Sequence, residues 1–366
     1  MIRTAYSTKE LSAAVAEIEQ QCAGFDPHVV LCFASPKYGP AELSRKLQNA
    51  YPKACTVGCT TAGEIVSGRM LTGSAVAMCL GAETVEGVAY AVVQNPREKA
   101  AVRDALGKLE AHSGKRLAEM DIRQYVGIVL ADGLSGAEEQ LMERIGDLTD
   151  VFFVGGSAGD DLKFERTHVM AGGQAYTGAA VLMLLKLRKG FDIIKTQSFV
   201  PAGKTLVATE VDEENRKVVR FNGKPAVEAY AEAVGVDPAK VSEEFMNHPL
   251  GLMVEGEPFV RSPQRVQNGA MLFYCRIVEG AELEVLNATD IVADTRAAVE
   301  AKKAELGGIA GIVDFHCILR TLKLRAEQRC DEYGAIFNRI PAIGFSTYGE
   351  AYLGHINQTS TMLVFR

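Results

Sequence analysis

Three short runs place glycine, hydroxyl and carboxylate side chains close together: VGCTTAGE at 57–64, VGGSAGD at 154–160 and IGFSTYGE at 343–350. Glycines this close let a backbone take positive φ or approach a partner closely. Thr60, Ser157, Ser346 and Thr347 can hydrogen-bond the turn or a ligand, and Glu64, Asp160 and Glu350 can accept from bare N–H groups or face a pocket. The middle run, GGSAG, also fits G-x-S-x-G, a turn that presents a nucleophilic serine when a helix follows it. The residues after it, DDLKFER, do not read as a helix, and neither sister run has the pattern. A hydrolase built on Ser157 is therefore the weakest of the chemical readings, and the chain is expected to bind rather than to catalyse. A turn capped by its own side chains would look the same, so the repetition argues for shared architecture before it argues for a site.

The ionisable groups beside the third run are denser. DFHCILR at 314–320 brings His316, Cys317 and Arg320, and GHINQT at 354–359 brings His355, Asn357 and Thr359. The site is expected there, at the carboxyl ends of neighbouring strands, with Arg320 facing an anionic group and His355 and His316 as contacts. The expected ligand-binding set is Cys317, Arg320, Ser346, Thr347, Gly349, Glu350, His355, Asn357 and Thr359, with Thr60 and Glu64 from the first run. The other histidines, His28, His112, His168 and His248, read as solvated or structural. Eight cysteines contain no C-x-x-C pair and mostly sit in apolar runs such as VVLCFAS and VAMCL, so reduced core thiols are expected rather than a zinc site.

Around each glycine run the elements follow one order. A strand (VVLCFAS, VGIVLAD, GIVDFHC) leads through a helix to a second strand, the turn, a short excursion and a third strand (SAVAMCL, GAAVLMLL, STMLVFR). A crossover helix makes the first two strands parallel neighbours. The class is α/β, mixed α+β, with mixed sheets flanked by helices. A capping box at Ser7 and Glu10 predicts the first helix, and single helices are predicted over 238–246 and 322–338. The polar stretch 197–214 reads as a boundary, giving domains 1–215 and 216–366.

With 366 residues, 48% hydrophobic and 23% charged, the chain is ordered and fits two domains. A net charge of −7 without a basic stripe argues against nucleic acid. No apolar run reaches membrane-spanning length, and MIRTAYSTKEL lacks the apolar core of a secretory signal, so a cytoplasmic location is expected.

These motifs resemble the FIST family of bacterial sensory proteins. VGCTTAGEI at 57–65 and VGGSAGDD at 154–161 resemble its N-terminal domain; NGKPAVEAY at 222–230, DFHCILR and IGFSTYGEAYLGHINQTS at 343–360 resemble its C-terminal domain. The resemblance implies an intracellular signal-input protein that binds a small ligand, such as an amino acid. The STYGE and HINQT segments are also similar to the branch with NosP-type sensors of nitric oxide. That likeness implies haem b, with His355 as its axial ligand, and a two-component partner. Output is expected through a separate histidine kinase or cyclase, and the protein itself is a candidate homodimer.

Overall fold

The computed structural model describes all residues, Met1–Arg366. They form two compact units: Met1–Thr196 with Thr295–His355 and Ser360–Arg366, and Gln197–Asp294 with Ile356–Thr359. The spatial division therefore differs from the expected halves, because residues 295–355 and 360–366 return to the first unit. A boundary at 215/216 falls in the turn after a strand of the second unit.

The first unit opens with β1 (Ile2–Ser7), α1 (Leu11–Gln21), β2 (Val29–Ala34), α2 (Pro40–Ala50), β3 (Cys55–Thr60), the hairpin β4 (Glu64–Val66) and β5 (Arg69–Leu71), and β6 (Ala75–Leu80). The pattern recurs in β7 (Val85–Gln94), α3 (Lys99–Ser113), β8 (Tyr125–Ala131), α4 (Glu138–Gly146), β9 (Phe153–Ser157), β10 (Val169–Ala171), β11 (Gln174–Tyr176) and β12 (Ala179–Leu187). A third copy starts at β13 (Phe191–Gln197) and is interrupted by the second unit.

That second unit holds β14 (Phe199–Asp212), β15 (Lys217–Phe221), β16 (Lys224–Pro225), α5 (Ala226–Val234), α6 (Val241–Glu244), β17 (Leu250–Val254), β18 (Glu257–Arg261), β19 (Pro263–Gln267), β20 (Ala270–Phe273) and β21 (Glu282–Ala288). Its strands make one eight-stranded sheet, packed through Tyr230, Phe221, Phe245 and Met271. The third copy resumes with α7 (Ile291–Leu306), β22 (Gly311–Cys317), α8 (Ile318–Ala326), α9 (Cys330–Gly334), β23 (Ala342–Thr347), β24 (Glu350–Tyr352), β25 (His355–Ile356) and β26 (Thr359–Phe365).

Each copy has a parallel central pair, β2 with β3, β8 with β9 and β22 with β23. The strand after the turn returns antiparallel to the first member: β6 on β2, β12 on β8, β26 on β22. The repeat is thus present in full. The excursion hairpins do something the repeat does not announce, because each leaves its own sheet. β4–β5 extends the third sheet at β23, β10–β11 extends the first at β3, and β24–β25 extends the second at β9. The inner faces of all three sheets share one core, in which Phe33, Phe315 and Phe345 meet at 4.5–6.3 Å between ring centroids.

The glycine runs are where the crossings happen. Gly63 takes φ 137°, and the three turns bond one another through their backbones. Ser346 N–H donates to Gly63 O at 2.8 Å, Gly159 N–H to Thr60 O at 2.9 Å, and Ser157 N–H to Gly349 O at 2.9 Å. Inside the strands, a Cβ on Gly58, Gly155 or Gly344 would lie 1.8, 1.8 or 2.3 Å from the carbonyl oxygen of Cys32, Val129 or Asp314. Backbone cannot yield to that overlap cheaply. Gly155→Ala should cost about 1–3 kcal/mol by urea unfolding. Gly107→Ala, in α3 with nothing within 4 Å, should stabilise by roughly 0.5–1 kcal/mol. Equal midpoints for the two variants would remove the close-approach account.

Local expectations change in four places. Ser7 ends β1 rather than capping a helix: its hydroxyl donates to Glu17 at 2.6 Å, and α1 starts at Leu11 without a side-chain cap. The segment read as one helix over 322–338 breaks into α8, α9 and a short 3-10 turn, with Gln328 at φ 56° between the first two. The region 238–246 is a 3-10 turn followed by α6. The polar stretch 197–214 contains the 14-residue strand β14. No helix is long and apolar enough to cross a membrane.

Candidate functional site

The repeats act as an internal control for the site. Alternate residues of a strand face opposite sides, so where Phe33 and Phe315 point into the shared core their neighbours face the helices. In the first copy those positions hold Val30, Cys32 and Ala34, and the register makes Gly127, Val129 and Ala131 their counterparts in the second. The named side chains at those strand positions pack in apolar clusters with the helices. In the third copy the same positions hold Ile312, Asp314 and His316. Opposite Ala34 and Ala131 lie Ala75 and Ala180; opposite His316 lies Ser360. The departure from the repeat is confined to this copy and is polar.

The cluster is closed from solvent. Asp314 and His316 are fully buried and Arg320, in the first turn of α8, is 2% exposed. Tyr333 of α9 donates its hydroxyl proton to Asp314 Oδ2 at 2.9 Å, and Ser360 donates to Oδ1 at 2.6 Å. The same phenol oxygen lies 2.9 Å from His316 Nδ1. Arg320 Nη2 donates to Thr295 of α7 at 2.8 Å and reaches Thr196 of β13 at 3.5 Å.

Burial pushes the Asp314 carboxyl up to about 6, against the pull of the Ser360 and Tyr333 hydroxyls and of Arg320. Burial, reinforced by the Arg320 charge, drives His316 well below its ordinary 6.5, so its ring is neutral. Burial and the nearby Asp314 carboxyl raise Tyr333. A phenol that gives its proton to Asp314 accepts from His316, which assigns the imidazole proton to Nδ1 and leaves Nε2 with a lone pair.

That Nε2 has no partner, and neither do Arg320 Nε and Nη1. Buried polar groups are nearly always satisfied, and an unmet charged donor is the costliest exception. The cluster therefore offers two guanidinium donors and one imidazole acceptor. The chemical complement is a small anion with an N–H or O–H donor beside it.

Of the expected site residues, Arg320 belongs to this cluster, on a helix rather than at a strand end. Cys317 is buried at the end of β22, immediately before α8. The hydroxyl and carboxylate groups of the turns are engaged within the protein, in the turns or with neighbouring segments. Thr61 donates to Glu64, which also accepts from Ser74 N–H at 2.9 Å and Ser74 Oγ at 2.6 Å. Thr347 donates to Glu350 at 2.5 Å in the matching position, and Ser346 bonds Thr321 at 2.8 Å. Thr60 Oγ1 accepts from His168 N–H at 2.9 Å. Burial raises Asp160, but the Tyr348 hydroxyl and the N–H groups of Arg166, Glu165 and Phe164 hold it below its ordinary value. Self-capping within the turn accounts for Thr347 with Glu350 and for part of Glu64, while Thr60 and Ser346 are satisfied by His168 and Thr321. Asn357 and Thr359 are buried in the second unit, where Asn357 Oδ1 lacks a partner.

His355 lies against Gly349, whose Cβ, if it had one, would sit 2.0 Å from the ring's Cε1. It lines a cavity of about 10 Å³ with Glu138, Ser157, Glu350 and the aliphatic faces of Leu141 and Met142. That space holds about one water. A haem needs a pocket of several hundred Å³, roughly the range of cofactor sites, so the residues around His355 do not fit the macrocycle. Ser157 ends β9, is followed by a loop, and turns its hydroxyl to Glu138 at 3.4 Å. No group of three His, Cys, Asp or Glu side chains is placed to hold a metal ion.

Sequence reading singled out Arg320 and His316 but missed Asp314, Tyr333, Thr295, Thr196 and Ser360. An aspartate inside a strand that is otherwise apolar was the available signal.

Comparison with known proteins gives three kinds of match. An uncharacterised protein of Methanocaldococcus jannaschii is 25% identical over 223 residues, 57% of this chain but 41% of its own length. The chain thus spans about two fifths of that relative. Two solved structures of cyanuric acid hydrolase, one from A. caulinodans, align along the whole chain and 99% of their own, at TM-scores of 0.38 and 0.35 with 10% and 8% identity. Likeness at that level carries no argument about chemistry. Residues 28–224 match the FIST N domain and residues 226–352 the FIST C domain; the first match alone covers over half of the 366 residues, and the chain belongs to the FIST family.

Proposed function

We propose that this protein is a cytoplasmic sensor that binds a small anionic ligand in the polar cluster of the third repeat and signals through a separate protein. The observation that carries the reading is the unmet guanidinium of Arg320 beside the bare Nε2 of His316, whose counterparts on the strands of both sister repeats are alanines. FIST domains are generally ligand sensors in signalling, which fits a cluster built to recognise rather than to react. A kinase or cyclase as the output partner rests on the resemblance alone. The haem and nitric oxide reading has no support in the His355 cavity, which favours the small anion.

The test is a titration of the full chain with small carboxylates, amino acids among them, followed by the NMR signals of the His316 ring. Binding should shift the His316 Nε2 resonance and leave His355 unmoved. A ligand that binds without disturbing His316, or a Soret band in protein loaded with haem, would overturn the reading.

A further inference from the structure

Cys22 and Cys79 lie far apart in the chain and together in space. Cys22 follows the last turn of α1, and its N–H donates to Ile18 O at 3.1 Å. Cys79 is in β6, on the face that packs against α1. Their sulfur atoms are 3.5 Å apart, with the Cys79 thiol donating to Cys22. A disulfide needs about 2.05 Å between sulfurs, so bridging must draw the two sulfurs together from their 3.5 Å contact.

The pair lies just beneath a surface cleft. Cys22 lines a surface cleft of about 320 Å³ together with Phe25, Asp26, Tyr51 and Lys53. Cys79 is fully buried behind it. Cys22 is itself 2% exposed, bordering the cleft from below, and Cys79 lies deeper. The Cys79 hydrogen bond lowers the Cys22 thiol, outweighing burial, and Tyr51 and Arg3 add to the pull. The same contact and burial raise Cys79. Burial alone pushes Cys55 up to about 12, so such a depression is not general to these cysteines.

We propose that Cys22 and Cys79 form a dithiol site that a hydroperoxide oxidises reversibly to a disulfide. The Cys22 thiolate attacks the peroxide, the O–O bond breaks, and the leaving oxygen departs as water or an alcohol, leaving Cys22 as the sulfenic acid. Cys79 sulfur then attacks Cys22 sulfur. The S–S bond forms, the S–O bond breaks, and water leaves with the Cys79 proton. The two electrons lost by the thiols reduce the peroxide, and a dithiol reductant reverses the step by exchange. The product ties the end of α1 to β6. This site is independent of the Arg320 cluster.

The experiment exposes the reduced full chain to stoichiometric hydrogen peroxide and counts thiols after unfolding. Six of the eight should remain, the intact mass should fall by two hydrogens, and peptide mapping should join Cys22 to Cys79. Dithiothreitol should restore all eight. The oxidised chain should melt several degrees above the reduced one, a difference absent from Cys22→Ser. Mapping on the parent protein stands even if Cys79→Ser fails to fold. Eight surviving thiols, a link between other cysteines, or Cys22 trapped as a sulfenic acid with Cys79 still reduced would each overturn the proposal.

Discussion

Arg320→Met should give a protein that folds at least as firmly as its parent and has lost its ligand. Arg320 is buried with two nitrogens unmet, which costs folding free energy in the empty protein. Methionine fills a similar volume without a charge to desolvate. Replacing a whole buried ion pair by apolar side chains of like size is commonly neutral or stabilising by about 1–4 kcal/mol, and the single replacement shares in this only where the group left behind can shed its charge. The remaining acid does not become an orphan. Burial already pushes Asp314 up to about 6, and without the guanidinium it keeps its proton longer while retaining Tyr333 and Ser360. An anion bound by the fork should lose about 1.5–3 kcal/mol, roughly a 10- to 150-fold weaker affinity. Thermal unfolding of the ligand-free proteins and calorimetric titration measure the two effects separately. If the variant unfolds more than about 2 kcal/mol more easily while binding normally, Arg320 is a structural pillar and the ligand lies elsewhere.

The repeat was readable because its signals are local. VVLCFA is buried throughout, as parallel strands covered on both faces are, and small residues mark each crossing turn. The exchange of hairpins was not readable. Ile65 and Val66 look alike whether they return to their own sheet or cross to β23, because a hydrophobic pattern reports burial and not partner. β14 was missed for the opposite reason. Half of its residues are exposed and it includes Pro201 and Gly203, which imitates a loop. At Ser7 a correct capping pattern lost to strand pairing with Ala75.

The site was half legible on the same grounds. Arg320 and His316 stood out as ionisable groups in and beside apolar strands. Their partners come from β13, α7, α9 and β26, spread from Thr196 to Ser360, so no sequence window contains the cluster. The glycine turns drew attention through hydroxyls and carboxylates that largely serve each other. Thr61 with Glu64 and Thr347 with Glu350 are the same three-residue cap, used twice.

That cap has a cost that titration exposes. Glu64 is 1% exposed, and burial raises its carboxyl to about 7 from an ordinary 4.5, against the hydrogen bonds of Ser74 and Thr61. Between those values the folded chain holds a proton that the unfolded chain releases. The linked stability is fully present below 4.5, falls as pH rises through the window, and is gone above about 7. At 1.36 kcal/mol per unit the whole loss is about 3 kcal/mol. Glu64→Gln keeps the geometry, since its amide oxygen accepts from Ser74 N–H and its amide hydrogens can meet the Thr61 hydroxyl. The variant should therefore be more stable than the parent by about 3 kcal/mol near pH 8 and equal to it near pH 4. Asp314 and His316 titrate in both proteins, so the difference between two urea-unfolding series isolates Glu64. A stability gap that is constant across the range, or one that favours the parent at high pH, would show that Glu64 is needed as a carboxylate and has a partner beyond Thr61 and Ser74.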